Sequence, residues 1–156
     1  MRYWLMKSEP DEVSFDDVLA APNQTVAWFG VRNYQARNFM RDAMSVGDGI
    51  LFYHSSCAVP GVAGIAEVAS GPYPDATQFD PSSPYHDPKA RPEEPRWISV
   101  DVRALEAGRY LPLGELRTIP ALGDMVLLQK GSRLSVSPVT QGEWNAIVGL
   151  VREGKR

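Results

Sequence analysis

Residues 96–105, RWISVDVRAL, decide the fold class of this chain. Apolar and polar side chains alternate along this stretch, in the order Ile98, Ser99, Val100, Asp101, Val102 and Arg103. A period of two puts the apolar side chains on one face of an extended chain, so the stretch is predicted to form a half-buried antiparallel strand.

Other strands are predicted on both sides of this stretch, over residues 3–7, 25–30, 49–55, 62–69 and 133–138. The run GILFYHS at 49–55 is apolar throughout and too short for a typical helix, which predicts a central strand. Gly64 indicates a β-bulge or a close approach inside its strand. Pro138 is expected to end the last strand, because proline has no N–H for pairing.

Three helices are predicted, over residues 14–21, 33–44 and 140–151. Ser14 and Thr140 stand where a side-chain oxygen can cap the N-terminus of their helices, and Asn33 begins the second helix. The mixed order of strands and short helices favours an α+β fold over a doubly wound parallel sheet. Trp4, Trp97 and Trp144 are predicted to lie in the core.

A proline-rich segment interrupts this order at residues 70–95. Seven of the 13 prolines of the chain lie there, which excludes a helix or a central strand. Its Tyr73, Phe79 and Tyr85 indicate that the segment packs against the domain. A long loop in a compact domain is often functional, and whether this one gates a pocket stays open.

The size and charge of the chain restrict its function. A length of 156 residues predicts one domain over residues 1–156. The net charge of −3 excludes a general attraction to nucleic acid, so such binding requires a local basic patch. Cys57 is the only cysteine, and the start, MRYWLMKSEP, lacks the apolar core of a secretory signal. We expect a soluble, cytoplasmic protein without a membrane partner, or a nuclear one if the source is eukaryotic.

The sequence offers no motif for metal, cofactor or catalytic chemistry. His54 and His86 are the only histidines and are not at metal-ligand spacing, so no metal and no cofactor are expected. His54 and Cys57 could form a base and nucleophile pair, but a small buried thiol at a strand end is the favoured interpretation. Neither a nucleophile elbow nor a phosphate-binding glycine loop occurs. The chain is therefore predicted not to be an enzyme.

Residues 28–41, WFGVRNYQARNFMR, have an unusual composition. The segment combines aromatic, arginine and amide side chains and has no acidic residue. Arginines bind phosphates, aromatic rings stack on bases, and amides bind base edges. The same composition fits equally well a core Trp and Phe followed by a helix with a solvated basic face.

Several blocks along the chain resemble the EVE domain family. They are MRYWLMKSEP, WFGVRNYQARNFMRD, GDGILFYHSS, GIAEV, YPD, PRW and RLSVSPV, in that order. The family is similar to the PUA-like group, which includes the YTH domains. The resemblance implies a curled, mostly antiparallel sheet or barrel with flanking short helices and a pocket on one side. YTH domains bind N6-methyladenine there in an aromatic cage.

The resemblance also implies where a base would bind. Lys7 and Ser8 correspond to the edge of the YTH pocket and Trp28 to a wall of its cage, whereas Glu9 and Pro10 replace asparagines that help to hold the base. The predicted base-binding residues are Lys7, Ser8, Trp28, Gly30, Asn33, Tyr34, Gln35 and Ser135. The predicted phosphate and rim residues are Arg32, Arg37, Arg41, His54 and Arg133.

The favoured function is a non-catalytic module that binds a modified nucleic-acid base. The base could be a modified cytosine or adenine, in DNA or RNA, and the expected partner is a nucleic acid that carries it. An enzyme acting on nucleotides and a protein-interaction domain remain as alternatives.

Overall fold

A seven-stranded sheet organises the computed structural model, which describes residues 1–153. Its strands are β1 (Tyr3–Ser8), β2 (Thr25–Trp28), β3 (Gly49–His54), β4 (Gly61–Val68), β5 (Tyr73–Pro74), β6 (Ile98–Pro112) and β7 (Val136–Val139). The hydrogen-bonded order is β2-β6-β4-β3-β1-β7, and β5 pairs with β6. Strands β1 and β3 are parallel, whereas the other pairs are antiparallel. The predicted α+β fold is confirmed, and the sheet is open instead of closing into a barrel.

Short helices flank this sheet. They are α1 (Phe15–Ala20), α2 (Tyr34–Asn38), α3 (Leu113–Leu116) and α4 (Gln141–Glu153). A π-helical turn, Phe39–Ala43, continues α2, and single 3₁₀ turns cover Pro22–Gln24, Ala76–Phe79, Pro120–Leu122 and Val126–Leu128.

The predicted caps at Ser14 and Thr140 are confirmed, and the structure shows that Asn33 caps its helix as well. The Ser14 hydroxyl accepts a hydrogen bond from the amide of Asp17, whose carboxylate accepts one from the Ser14 amide. Asn33 Oδ1 accepts from the amide of Ala36 at 3.0 Å. Thr140 and Glu143 repeat the reciprocal arrangement at the start of α4. These side chains satisfy amides that the first helical turn leaves without backbone partners.

Both faces of the sheet are covered by apolar side chains. Met6 and Phe52 lie in a core under α1 and α2, whereas Leu5 and Leu51 lie in a second core under α4. Because successive residues point to opposite faces, β3 is buried on both sides, as its uninterrupted apolar sequence predicts. Among residues 1–153, no helix is long and apolar enough to cross a bilayer.

The first four predicted strands shift by one or two residues at an end, and β6 and β7 differ most from their predicted bounds. Strand β6 continues past residue 105 to Pro112, because it pairs with β4 as far as Gly61, although its side chains near Gly108 are exposed. Strand β7 includes Pro138 instead of ending there, since it is a sheet edge where a missing N–H leaves no partner unpaired. The predicted close approach at Gly64 is confirmed. A Cβ there would lie 2.3 Å from the ring of Phe15, and the β4–β6 register shifts beside it.

The three tryptophans assigned to the core pack as predicted. Trp4 is buried and donates its indole N–H to Asp48 at 3.0 Å, and Trp97 is buried as well. Trp144 is partly buried and stacks on Tyr3 with ring centroids 4.5 Å apart.

Candidate functional site

A cavity of about 370 Å³ lies where the carboxyl ends of β1 and β2 meet. These strands are four positions apart in the sheet, so the curl of the sheet brings their ends together. The lining consists of Lys7, Ser8, Glu9, Glu12, Val13, Val26, Ala27, Trp28, Phe29, Gly30, Val31, Ser55, Ser56, Tyr85, Arg133 and Ser135. Six of the predicted site residues belong to this set: Lys7, Ser8, Trp28, Gly30, Arg133 and Ser135.

Backbone and side-chain hydrogen bonds fix the β1 side of the cavity. The Lys7 amide donates to the Ser135 carbonyl at 2.8 Å, and the Ser8 hydroxyl donates to the Val13 carbonyl at 2.6 Å. The Lys7 ammonium has no hydrogen-bond or ion-pair partner within residues 1–153, and burial lowers its pKa. This cation is therefore available to a ligand.

Trp28 belongs both to the cavity lining and to the core. Its ring meets Phe52 edge to face at a centroid distance of 5.3 Å. Trp28 is among the residues that line the cavity, but only 7% of the residue is exposed. Replacing this side chain would therefore disturb the core as well as the site.

Gly30 allows a tyrosine to close one side of the cavity. Gly30 has a φ of +85°, and a Cβ on it would lie 2.9 Å from the ring of Tyr85. The space that the missing Cβ of Gly30 leaves is thus occupied by this ring. The amide of Gly30 donates to Asp75 at 2.8 Å, which holds the turn in place.

Tyr85 is an aromatic residue of the lining that the sequence analysis did not assign to the site. Its hydroxyl lies 2.7 and 2.5 Å from the two carboxylate oxygens of Glu12 and donates its one hydrogen to that carboxylate, and its ring meets Phe29 edge to face. Burial, followed by the Glu12 hydrogen bond, raises the pKa of Tyr85 to about 12. The aromatic content of the proline-rich segment was the only sequence signal for this role.

The proline-rich segment, residues 70–95, packs down through the side-chain amide of Gln78. The amide nitrogen donates to the carbonyls of Asp75 and Trp97, and the amide oxygen accepts from the amides of Arg96 and Trp97, all at 2.8–2.9 Å. Asp87 accepts from the indole N–H of Trp97 at 2.8 Å. Hydrogen bonds of Gln78 and Asp87 therefore hold the proline-rich segment against the residues just before β6.

Arg32 holds the same segment and does not project toward solvent as a phosphate ligand. Its guanidinium donates to the Tyr85 carbonyl at 3.0 and 2.7 Å, to Thr77 at 3.1 Å and to Asp75 at 3.1 Å. Burial opposes ionisation of Asp75, but hydrogen bonds from Thr77, Gly30 and Arg32 prevail and keep its pKa below the ordinary value. The prediction that Arg32 contacts phosphate is corrected, because its donors are used inside the fold.

The other two arginines of the predicted phosphate track also have internal partners. Arg37 donates to the Arg96 carbonyl at 3.0 Å and lies 4.6 Å from the ring of Tyr34. Arg41 pairs with Asp42 at 2.9 Å. Residues 28–41 contain no acidic residue, but Asp42, the next residue in sequence, pairs with Arg41.

Four further predicted residues lie outside the cavity lining. Asn33 caps α2, and Tyr34 stacks on Trp97 at 4.8 Å with half of its surface exposed. Gln35 is exposed on the next position of α2. His54 Nε2 accepts from the amide of Phe15 at 3.1 Å, and burial lowers its pKa. These residues shape helix ends or the surface and not the cavity.

The described residues of the lining do not form a metal-binding cluster. Within residues 1–153, no group of three or more His, Cys, Asp or Glu side chains is placed to hold a metal ion. Cys57 is a free thiol and is not part of the lining. The geometry instead offers aromatic surface together with separated acceptors and cations.

The fold and cavity define a class of small α+β domains with a partly aromatic cavity at the strand ends of an open, curled sheet. The chain belongs to the EVE domain family, which matches residues 2–150.

Proteins from distant organisms are similar to this chain in sequence and in fold. Thymocyte nuclear protein 1 of Homo sapiens is 42% identical, over 95% of this chain and 73% of its own. A Pseudomonas putida protein of known structure is 53% identical, with a TM-score of 0.90, over 95% of this chain and 98% of its own. Human THYN1, solved in complex with 5-methylcytosine containing DNA, is 42% identical, with a TM-score of 0.88, over 96% of this chain and 97% of its own.

Proposed function

We propose that this chain binds a modified cytosine of DNA in the cavity at the ends of β1 and β2 and leaves the base unchanged. One observation carries the proposal: a 42% identical human relative, aligned over 96% of this chain, was solved with 5-methylcytosine DNA. The aromatic and polar lining of the cavity around Trp28 and Tyr85 supports it independently.

The size of the cavity suits one base and not a stretch of duplex. Its volume of about 370 Å³ lies at the lower end of the range for small-molecule sites. A base inside a duplex is stacked and paired, so it must leave the helix to enter such a cavity. Extrusion costs a few kcal/mol, and the contacts made inside the cavity must offset this cost.

The polar side chains of the lining match the edge of cytosine. The exocyclic amino group of cytosine donates hydrogen bonds, and carboxylates are suitable acceptors for it. Glu9 lines the cavity and can accept in this way, and Ser8 and Ser135 add hydroxyl groups. A buried methyl contributes only about 0.8 kcal/mol, which is about a fourfold preference over unmodified cytosine. Stacking and hydrogen bonds must therefore supply most of the affinity.

Contacts to the DNA backbone are assigned to cations at the cavity mouth. Arg133 lines the cavity and is exposed, and neither it nor the Lys7 ammonium has an ion-pair partner within residues 1–153. Arg32 and Arg37 are engaged by groups of the fold, and Arg41 is paired with Asp42. With a net charge of −3, the chain then has few phosphate contacts, so its binding should be weak and moderately dependent on salt.

The experiment is a titration with short oligonucleotides that carry one modified base. The matched set contains 5-methylcytosine, cytosine and N6-methyladenine in DNA, and the same bases in RNA. We expect tightest binding to 5-methylcytosine DNA, a smaller salt slope for Arg133→Ala, and no change for Arg41→Ala, which removes an exposed arginine that is already paired.

Mass spectrometry of the oligonucleotide after incubation tests for chemistry. An unchanged oligonucleotide mass supports a module that binds the base without altering it. A changed mass would instead support an enzyme that acts on nucleotides. Equal affinity for 5-methylcytosine and cytosine DNA would contradict recognition of the methyl group, and tighter binding to a methylated RNA or adenine would move the proposal to that ligand.

A further inference from the structure

Trp28 cannot provide the whole aromatic surface of the proposed base site. Since only 7% of the residue is exposed, most of its indole is covered by core neighbours such as Phe52. A stacked base needs a flat group with an accessible face. The other rings on the cavity lining are Phe29 and Tyr85.

The ring of Tyr85 is held from several directions. It lies over Gly30, where a Cβ would come within 2.9 Å, and it meets Phe29 edge to face at 5.8 Å. Its backbone carbonyl accepts two hydrogen bonds from Arg32, whose guanidinium is anchored by the fully buried carboxylate of Asp75. The backbone at Tyr85 is therefore held in place, although Tyr85 belongs to a long loop.

Glu12 fixes the far end of the same ring. It lies in the turn after β1, 73 residues from Tyr85 in sequence, and its carboxylate accepts the hydrogen bond from the Tyr85 hydroxyl. Hydrogen bonds to an ionised acceptor are shorter and stronger than neutral ones. The pair thus bridges two separate parts of the chain at the cavity.

We infer that Tyr85 is the second aromatic wall of the base site and that Glu12 is the residue that positions it. This inference rests on the proposed function and adds a specific residue pair to it. A ring held in place before the ligand arrives loses little conformational freedom on binding, which favours affinity.

The test compares Tyr85 variants in titrations with 5-methylcytosine DNA. Tyr85→Ala should weaken binding about ten- to hundredfold, because it removes a stacking face. Tyr85→Leu keeps apolar volume in the loop but has no flat face, so it should lose nearly as much. Tyr34→Ala, which removes an exposed ring outside the cavity, should bind like the wild type.

The role of Glu12 is tested by a double-mutant cycle. Tyr85→Phe and Glu12→Gln should each weaken binding about three- to tenfold, because each breaks or weakens the bond that orients the ring. The double variant should lose no more than the larger single effect, since both changes remove one interaction. Additive losses would show that Glu12 acts independently of Tyr85 and would overturn its positioning role.

The outcomes separate this inference from the proposed function. If Tyr85→Ala and Tyr85→Leu both bind with wild-type affinity, Tyr85 is not the second aromatic wall. The proposed function would still stand if the wild type prefers the methylated base. A wild type that binds none of the modified oligonucleotides would overturn the proposed function and the inference with it.

Discussion

The buried carboxylate of Asp75 should be one of the most sensitive positions of the fold. Its side chain is fully buried and accepts from the amides of Gly30 and Thr77, from the Thr77 hydroxyl and from Arg32. The change Asp75→Ala leaves these donors without their acceptor and separates Arg32 from its charge partner. It therefore disturbs the turn at the cavity and the anchor of Tyr85 together.

The size of the effect follows from the burial of the two partners. Removing one member of a buried ion pair costs about 3–5 kcal/mol. Arg32 is 23% exposed and keeps its hydrogen bonds to the Tyr85 carbonyl, so we expect the lower end, about 3 kcal/mol. For a chain of this size, that corresponds to a fall in Tm of about 6–12 °C.

Urea unfolding at pH 7 is the appropriate assay for this change. Hydrogen bonds hold the pKa of Asp75 below its ordinary value, so its contribution is present above the unfolded pKa of about 3.9 and is lost as the pH falls below it. Asp42→Ala is the matched control, because it removes an Arg–Asp pair that is exposed, and it should leave the unfolding midpoint unchanged. A loss below about 1 kcal/mol in Asp75→Ala would refute the anchoring role.

Three further changes test other parts of the account. Gln78→Leu should destabilise the protein by about 2–3 kcal/mol in urea unfolding, because it leaves buried backbone groups without partners, and a neutral result would contradict the anchoring of the proline-rich segment. Because burial lowers the pKa of His54, the unfolded chain binds a proton at higher pH than the folded chain, so stability should fall as the pH drops below about 6.5. His54→Gln should reduce that dependence, and an identical pH profile would argue against it. Gly64→Ala should cost about 1–3 kcal/mol in thermal unfolding through overlap with Phe15, and an unchanged Tm would show that the ring can move aside.

Local chemistry explains why so much of the fold could be predicted. Each N-cap acts within three residues of its own position, and the alternation in β6 or the uninterrupted apolar run of β3 depends only on which faces are buried. The continuation of β6 to Pro112 could not be predicted in this way. Its exposed residues are held by pairing with β4, and the sequence of β6 alone does not contain that information.

The predicted residues that line the cavity lie at or within a few residues of the ends of β1, β2 and β7. Lys7, Ser8 and Trp28 reach the cavity because strands β1 and β2 end there. Tyr85 reaches it through a hydrogen bond from Arg32, 53 residues away in sequence, which no periodicity reveals. The predicted phosphate contacts of the arginines in residues 28–41 show the limit of composition. Composition shows the charges of these arginines, but it does not show the carbonyl and carboxylate groups that pair with them.

The central claim is that a methylated base enters the cavity beside Trp28 and Tyr85, and an NMR experiment tests it most directly. A DNA oligonucleotide with a ¹³C-labelled methyl on one 5-methylcytosine reports where that methyl lies when the protein binds. We expect a large ring-current shift of the methyl resonance with wild-type protein, a smaller shift with Tyr85→Leu, and the wild-type shift with Tyr34→Ala. A methyl resonance that keeps its free-DNA position while the oligonucleotide is fully bound would contradict the account.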